Sequence, residues 1–130
     1  DGAPPARTSN RDGNDIVDEI APAPQDIVIR KLKPSAFFAT PLVSFLNDLG
    51  ADSLIVTGTT TSGCVRASVL DAFSNNYRTL VVEEGCFDRS QVSHAVNLCD
   101  MHAKYADVVQ MAEAMEYIES IDETYNLPTG

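Results

Sequence analysis

Apolar residues are concentrated in short runs along the chain, and these runs predict a set of β-strands. The runs lie at about 27–31, 53–58, 78–84 and 106–109. The first three are nearly continuous and rich in Val, Ile and Leu, which is typical of strands covered on both faces of a sheet. The fourth run is shorter and predicts an edge strand.

Between and after these runs, apolar residues recur at the spacing of a helix. This spacing predicts helices at about 41–49, 64–76, 90–104 and 111–121. The helix at 90–104 carries an apolar stripe made of Val92, Val96, Cys99 and Ala103. Because strands and helices alternate, right-handed crossovers and a parallel sheet are expected. The pattern therefore predicts an α/β fold.

The junction between the second strand and the helix that follows it is the strongest candidate for chemistry. Cys64 lies where a turn of Gly, Thr and Ser at 58–63 passes into the helix. A thiol in the first turn of a helix lies near the positive end of the helix dipole, which favours the nucleophilic thiolate. Free backbone N–H groups in the same turn can hold an anion. The alternative is a cysteine that packs as a small buried hydrophobe.

Lys31 is a second candidate, because it ends the first predicted strand. The carboxyl ends of parallel strands meet at one edge of the sheet, where α/β proteins bind ligands. Lys31 and the turn before Cys64 are therefore expected at the same edge. The alternative for Lys31 is a lysine that only reaches into water. His94 and His102 both fall on the helix at 90–104, and their positions do not indicate a pair with Cys64.

Composition limits the class of protein. A length of 130 residues corresponds to one domain. Residues 1–14 are polar and rich in Pro and Gly, which predicts an extended or disordered leader. A net charge of −10 disfavours nucleic acid and anionic membranes as partners. No apolar run approaches the roughly 20 residues that a membrane-spanning helix needs.

The cysteines also carry information about location and metal binding. Cys64, Cys86 and Cys99 are odd in number, so they do not indicate a disulfide framework. Cys86 and Cys99 are expected in the core. Reduced cysteines are typical of a reducing compartment, and the cytoplasm is therefore expected. No His or Cys pair has the spacing of a zinc site, so no metal is expected.

Two segments together resemble a known family, the isochorismatase-like cysteine hydrolases. The first contains Lys31, Ser35-Ala36-Phe37 and Thr40, and the second reads Gly-Thr-Thr-Thr-Ser-Gly-Cys-Val over residues 58–65. The resemblance extends over residues 15 to 120, through Val82-Glu83-Glu84, Asp88-Arg89, His94, Asn97-Leu98 and Lys104-Tyr105-Ala106-Asp107-Val108. The residues around Cys64 are most similar to those of the N-carbamoylsarcosine and maleamate amidase branch.

The resemblance implies a three-layer α-β-α fold with a parallel sheet, the Rossmann-like isochorismatase fold. Residues 15–130 would then form the C-terminal portion of one hydrolase domain that is truncated at its N-terminus. The family aspartate, which acts as acid and base, lies in an N-terminal strand that has no counterpart here. Asp15, Asp18, Asp26 and Asp88 are the substitutes to consider.

The implied activity is hydrolysis of the C–N bond of a small amide or carbamoyl compound, with release of ammonia. Cys64 would form a thioacyl intermediate, and Lys31 would stabilise its thiolate, with Lys33 as the less favoured alternative. A cis peptide between Thr59 and Thr60 would direct the N–H groups of Thr60 and Cys64 at one oxyanion. No cofactor is implied.

The resemblance also implies contacts with substrate and with other subunits. Arg89 would bind a carboxylate of the substrate, or else pair at the surface or at an interface. Thr61 would contact substrate or cap the helix. A homo-oligomer, either a dimer or a tetramer, is expected. Hydrolysis of isochorismate is a rival activity, although that branch commonly replaces the nucleophilic cysteine. The other rival is a non-catalytic chain that lacks the family aspartate.

Overall fold

The computed structural model describes residues 15–121 of the chain, and the leader expected at 1–14 lies outside this range. The strands are β1 (Ser53–Thr59), β2 (Arg78–Phe87) and β3 (Asp107–Val109). The helices are α1 (Leu42–Asp48), α2 (Arg66–Ser74), α3 (Gln91–Lys104) and α4 (Met111–Ser120). A short 3₁₀ turn forms at Asp18–Ile20, and a π-helical turn at Thr61–Val65 leads directly into α2.

The strands form one parallel sheet in the order β1-β2-β3. The helices α2 and α3 are the crossovers that parallel neighbours require. The register between β1 and β2 changes near the end of the strands. Val56 pairs with Val81, but Gly58 pairs with Cys86, so extra residues of β2 bulge out between these two pairs.

The main core lies between the sheet and the helices α2 and α3. Val69 of α2, Val81 of β2 and Met101 of α3 are fully buried in one apolar cluster. Helix α4 contacts β2 and takes no part in that cluster. Val82, next to Val81 on β2, points to the opposite face and is also buried, so both faces of the sheet are covered, as expected for the three-layer α/β fold. Within residues 15–121, no helix has the length and apolar character needed to cross a membrane.

Helices α3 and α4 begin at residues that satisfy free N–H groups. The Ser90 hydroxyl accepts a hydrogen bond from the Ser93 N–H at the start of α3. At the start of α4, Gln110 and Glu113 form a reciprocal capping box. Because such side chains replace the missing helical acceptors, they fix where each helix starts. The predicted bounds of these two helices agree with the observed ones to within a residue.

The prediction of a strand at 27–31 is wrong, because this segment forms no β-ladder. A strand needs a neighbour that takes its backbone hydrogen bonds. A cavity of about 410 Å³ lies between Lys31 and β1, so the two segments do not pair. Val28 is 64% exposed as a result.

Two further expectations are also wrong, namely that β1 is covered on both faces and that Cys99 lies in the core. Ile55 in the middle of β1 is 38% exposed, since the outer edge of this strand has no neighbour among the described residues. On α3, the stripe that contains Val92 and Cys99 faces solvent. The helix packs through Leu98 and Met101 instead. Both sides of α3 are apolar, so the spacing alone could not show which side is buried.

Candidate active site

Cys64 lies in the wide turn that joins β1 to α2. Gly58 has a φ of +126°, which is unfavourable for other residues, and the peptide bond between Thr59 and Thr60 is cis. The Thr60 carbonyl then accepts the Val65 N–H at 3.2 Å, which closes the π-helical turn around Cys64. Such turns are frequent at functional sites. The thiol is thus in the first turn of a helix, at the carboxyl end of a parallel strand.

Cys64 and Lys31 line the same cavity. This cavity of about 410 Å³ runs along the outer edge of β1, and most of its other lining residues are apolar. Cys64 is half-buried there. The Lys31 ammonium donates to the Lys33 carbonyl at 3.1 Å. The Lys33 side chain lines a different cavity, beside Pro34. Of the two lysines considered from the sequence, Lys31 is therefore the one at the cysteine cavity.

The segment that follows Lys31 is fastened to helix α2. The buried Ser35 hydroxyl donates to the Asp71 carboxylate, and the Ala36 N–H donates to the Ser68 hydroxyl at 2.9 Å. These bonds hold the loop that carries Lys31 against α2, the helix that follows the turn of Cys64. Ser68 and Asp71 were not among the site residues predicted from the sequence. The signal was present, because Cys64, Ser68 and Asp71 follow the i, i+4, i+7 spacing of one helix face.

Asp88 directly follows β2 and forms a hydrogen bond with the turn that contains Cys64. Its carboxylate accepts the Ser62 N–H at 2.7 Å and the Arg89 N–H at 2.8 Å. Hydrogen bonds from Ser62 are the main reason that the pKa of Asp88 lies below its ordinary value. The Arg89 charge adds a smaller effect in the same direction. These hydrogen bonds to Asp88 fix the residue two positions before Cys64.

His94 on helix α3 forms a hydrogen bond with the same turn. Its Nδ1 atom lies 2.8 Å from the Thr61 hydroxyl, and the Thr61 side chain is 0% exposed. A buried hydroxyl without a partner would cost about 1–3 kcal/mol, so this bond stabilises the turn. The Thr61 hydroxyl is thus occupied within the fold, and Thr61 does not line the cysteine cavity.

Arg89 lies apart from the cavity shared by Lys31 and Cys64. Its side chain is exposed, and its N–H group is bound to Asp88. The structure therefore brings Cys64 and Lys31 to one cavity, with Thr60 and Thr61 in the adjoining turn. It leaves Arg89 exposed at the surface.

Among residues 15–121, no carboxylate and no imidazole lines the cysteine cavity. Asp26 accepts the Ala23 N–H at 2.8 Å, and Asp88 contacts Ser62 on the other side of the turn. Asp15 and Asp18 are not among the lining residues either. The same described residues contain no group of three or more His, Cys, Asp or Glu side chains that could hold a metal ion.

Comparisons with known proteins identify a family for this chain. A model of the isochorismatase domain matches residues 1–113. The chain is 41% identical to maleamate amidohydrolase of Pseudomonas putida over 102 residues, which are 78% of this chain and 48% of that protein. It is 38% identical to N-carbamoylsarcosine amidase of an Arthrobacter species, over 83% of this chain and 41% of that protein. The chain thus spans about half the length of the curated relatives it matches.

Solved structures show the same fold. An isochorismatase family protein from Desulfovibrio vulgaris superposes with a TM-score of 0.79 at 30% identity, over 85% of this chain and 58% of that one. N-carbamoylsarcosine amidase from Thermoplasma acidophilum superposes with a TM-score of 0.68 at 31% identity, over 78% of this chain and 57% of that one. Given these similarities and the cysteine turn at the end of β1, the chain belongs to the isochorismatase family.

Proposed function

We propose that the whole protein hydrolyses the C–N bond of a small amide or carbamoyl compound, with Cys64 as the nucleophile. The observation that carries this proposal is the shared cavity of Cys64 and Lys31 at the carboxyl end of β1. The Lys31 ammonium, which lines the same cavity as Cys64, and the helix N-terminus would both favour attack by the sulfur. The amidohydrolases among the relatives support the same class of reaction.

In the proposed reaction, the Cys64 thiolate attacks the carbonyl carbon and a C–S bond forms. The carbonyl oxygen becomes an oxyanion, which the N–H groups of Thr60 and Cys64 would stabilise. When the oxyanion collapses, the C–N bond breaks, and the nitrogen takes up a proton and leaves as ammonia. Water then attacks the thioester, releases the acid and restores the thiol.

The proton for the leaving nitrogen requires an acid that the described residues do not supply at this cavity. We assign it to a carboxylate from elsewhere in the whole protein or from a neighbouring subunit. Maleamate and N-carbamoylsarcosine each carry a carboxylate beside the bond to be cleaved. Arg89 would bind such a carboxylate through its two-pronged guanidinium only if its exposed side chain turns towards the cavity, which it does not line here. Thr61 would act through the turn, since its hydroxyl is already bound to His94.

The nucleophile can be tested without the missing acid. p-Nitrophenyl acetate has a leaving group that needs no proton, so it should acetylate Cys64 in a stoichiometric burst. Cys64→Ala should abolish the burst, and Lys31→Ala should slow it by about tenfold. Lys33→Ala is the matched control and should leave the rate unchanged. Equal losses in both lysine variants, or acetylation at another cysteine, would contradict the assignment.

A second candidate function is a non-catalytic role for the described segment, and the absence of a carboxylate from its cavity favours it. Ammonia release from maleamate or N-carbamoylsarcosine by the whole protein, lost in Cys64→Ala, would exclude this alternative. The three free thiols fit a reducing compartment such as the cytoplasm, which we propose as the location.

A further inference from the structure

A second cavity lies at the amino ends of β2 and β3, the opposite end of the sheet from Cys64. Its volume is about 720 Å³, and residues from two segments, 73–79 and 102–107, line it. We call it the amino-end cavity. Sites for small molecules typically occupy about 300–1,000 Å³. None of its lining residues also lines the cavity of Cys64 and Lys31, so a ligand here is recognised independently of the proposed reaction.

The amino-end cavity is lined by a guanidinium and a carboxylate that do not pair with each other. Arg78 and Asp107 are both exposed. Arg78 lies two positions before Leu80, and Leu80 is in register with Asp107, so both charged side chains project from the same face of neighbouring strands. Within residues 15–121, neither side chain has a salt bridge or a hydrogen bond. Two opposite charges at one cavity are therefore available to a ligand.

His102 and the end of α3 add further polar groups to the same cavity. The Val108 N–H donates to His102 Nδ1 at 3.1 Å, so Nδ1 carries no proton. The proton of the neutral ring is then on Nε2, which acts as a donor. Lys104 also lines the cavity, but its ammonium is paired with Asp100 at 3.0 Å. Because α3 ends here, the partial negative charge of its last carbonyls favours a cation close by.

Aromatic rings form the apolar part of the amino-end cavity. The centroids of the Phe73 and Tyr105 rings are 5.6 Å apart, and the rings are tilted by 60°. Phe73 is 50% exposed, although it is one of the larger apolar side chains. A ring placed against this pair would remove aromatic surface from water and add a further aromatic contact. The lining therefore suits a ligand that has a ring as well as charged groups.

We propose that the amino-end cavity binds a free aromatic α-amino acid, with its ring against Phe73 and Tyr105. Its carboxylate pairs with the two-pronged guanidinium of Arg78 and accepts from His102 Nε2. Its ammonium pairs with Asp107, near the last carbonyls of α3. A purely anionic ligand leaves the Asp107 carboxylate unpaired beside it, and a purely cationic ligand does the same to the Arg78 guanidinium. A ligand with both charges satisfies both groups.

Calorimetric titration of the full chain with a panel of small molecules tests the ligand class. L-phenylalanine should bind with a dissociation constant of about 1 mM or less. 3-Phenylpropionate lacks the ammonium, phenethylamine lacks the carboxylate and L-alanine lacks the ring, so each should bind at least about tenfold more weakly. If any of the three binds as tightly as phenylalanine, the proposal is wrong. Absence of phenylalanine binding at about 10 mM would also reject it.

Substitutions test the location of the ligand. Arg78→Gln and Asp107→Asn should each weaken phenylalanine binding by about tenfold or more, because each removes one charged partner. Arg30→Gln and Asp48→Asn are the matched controls, with the same changes at exposed residues outside the cavity, and should bind like the wild type. Cys64→Ala should also bind normally. Binding that survives both cavity variants, or that is lost in Cys64→Ala, would overturn the proposal. Circular dichroism checks that each variant is folded.

Discussion

At the scale of single residues, Cys64 is positioned by hydrogen bonds that other elements make to the residues just before it. Asp88 binds the Ser62 N–H from the end of β2, and His94 binds the Thr61 hydroxyl from α3. The cysteine turn is therefore held between β2 and α3 rather than by its own backbone alone. Such support from rigid elements keeps a nucleophile in one geometry.

We expect Cys64 to be the fastest of the three cysteines to react with iodoacetamide near neutral pH. It lies in the first turn of a helix and shares a cavity with Lys31. Cys86 is 6% exposed, and burial raises the pKa of its thiol. Cys99 is exposed but lies in the middle of α3. Peptide mapping after brief alkylation gives the order of labelling, and faster labelling of Cys99 would contradict the expected activation of Cys64.

We expect Asp88 to contribute its full stabilisation above about pH 4 and to lose this contribution progressively at lower pH. Its pKa is lower in the folded chain than the ordinary value, mainly because Ser62 donates hydrogen bonds to the carboxylate. The stabilisation is therefore present above the unfolded-state pKa and is lost as the pH falls through the folded-state pKa. Urea midpoints should thus decrease less on acidification in Asp88→Asn than in the wild type. Asp48→Asn, at an exposed site on α1, is the control and should follow the wild type.

At the scale of elements, the bulge in β2 determines how the ends of β1 and β2 meet. The pairing moves from Val56–Val81 to Gly58–Cys86, so Thr57 of β1 lies opposite several residues of β2. After the bulge, β2 resumes its pairing with β1 near Gly85, which lies close to Thr57. A Cβ atom at position 85 would lie 2.8 Å from the Thr57 methyl carbon and 3.2 Å from its Cβ atom. The absence of a side chain at Gly85 is therefore a condition for this register.

We expect Gly85→Ala to lower the free energy of unfolding by about 1–3 kcal/mol, because the new methyl group overpacks the site. Urea denaturation measures the loss. Thr57→Ser removes the methyl group that the new side chain would meet, so the double variant should recover part of the stability. If the two changes are simply additive, the steric explanation is wrong.

The segment at 27–31 shows how an element can be misjudged from its residues. Ile27, Val28 and Ile29 have a strong preference for strands. The preference is not enough, because an extended segment becomes a strand only when a neighbour accepts its hydrogen bonds. Here a cavity lies between this segment and β1, so β1 does not accept its hydrogen bonds. Lys31 still reaches the cysteine cavity, because Ser35 and Ala36 are bound to α2.

At the scale of the whole molecule, the described residues form a site that lacks an acid. The cavity of Lys31 and Cys64 has no carboxylate in its lining, and the outer edge of β1 has no partner strand within residues 15–121. An added strand at this edge would meet both the cavity and the unpaired backbone groups of β1. One added strand that carries a carboxylate would thus pair with β1 and also supply an acid to the cavity.

We expect the 130-residue chain by itself to release little ammonia from maleamate or N-carbamoylsarcosine. Loss of acid and base assistance commonly costs about 10²–10⁴ in rate. A chimera that joins this chain to the part of the Pseudomonas putida maleamate amidohydrolase that it does not match should regain turnover. Replacing Cys64 by Ala in the chimera is the control. Fast turnover by the isolated chain would require an acid among Asp15, Asp18, Asp26 and Asp88.

The sequence by itself determined the parallel α/β arrangement and the place of Cys64 at the end of a strand. These features depend on local patterns, namely apolar runs, helical spacing and a turn rich in Gly and Thr. The tertiary structure alone decided which apolar faces are buried. Both sides of α3 satisfy the same spacing, and only contact with the sheet selects Leu98 and Met101 over Val92 and Val96. It also decided which polar residues support the cysteine turn, because hydrogen bonds such as Asp88 to Ser62 join positions far apart in the chain.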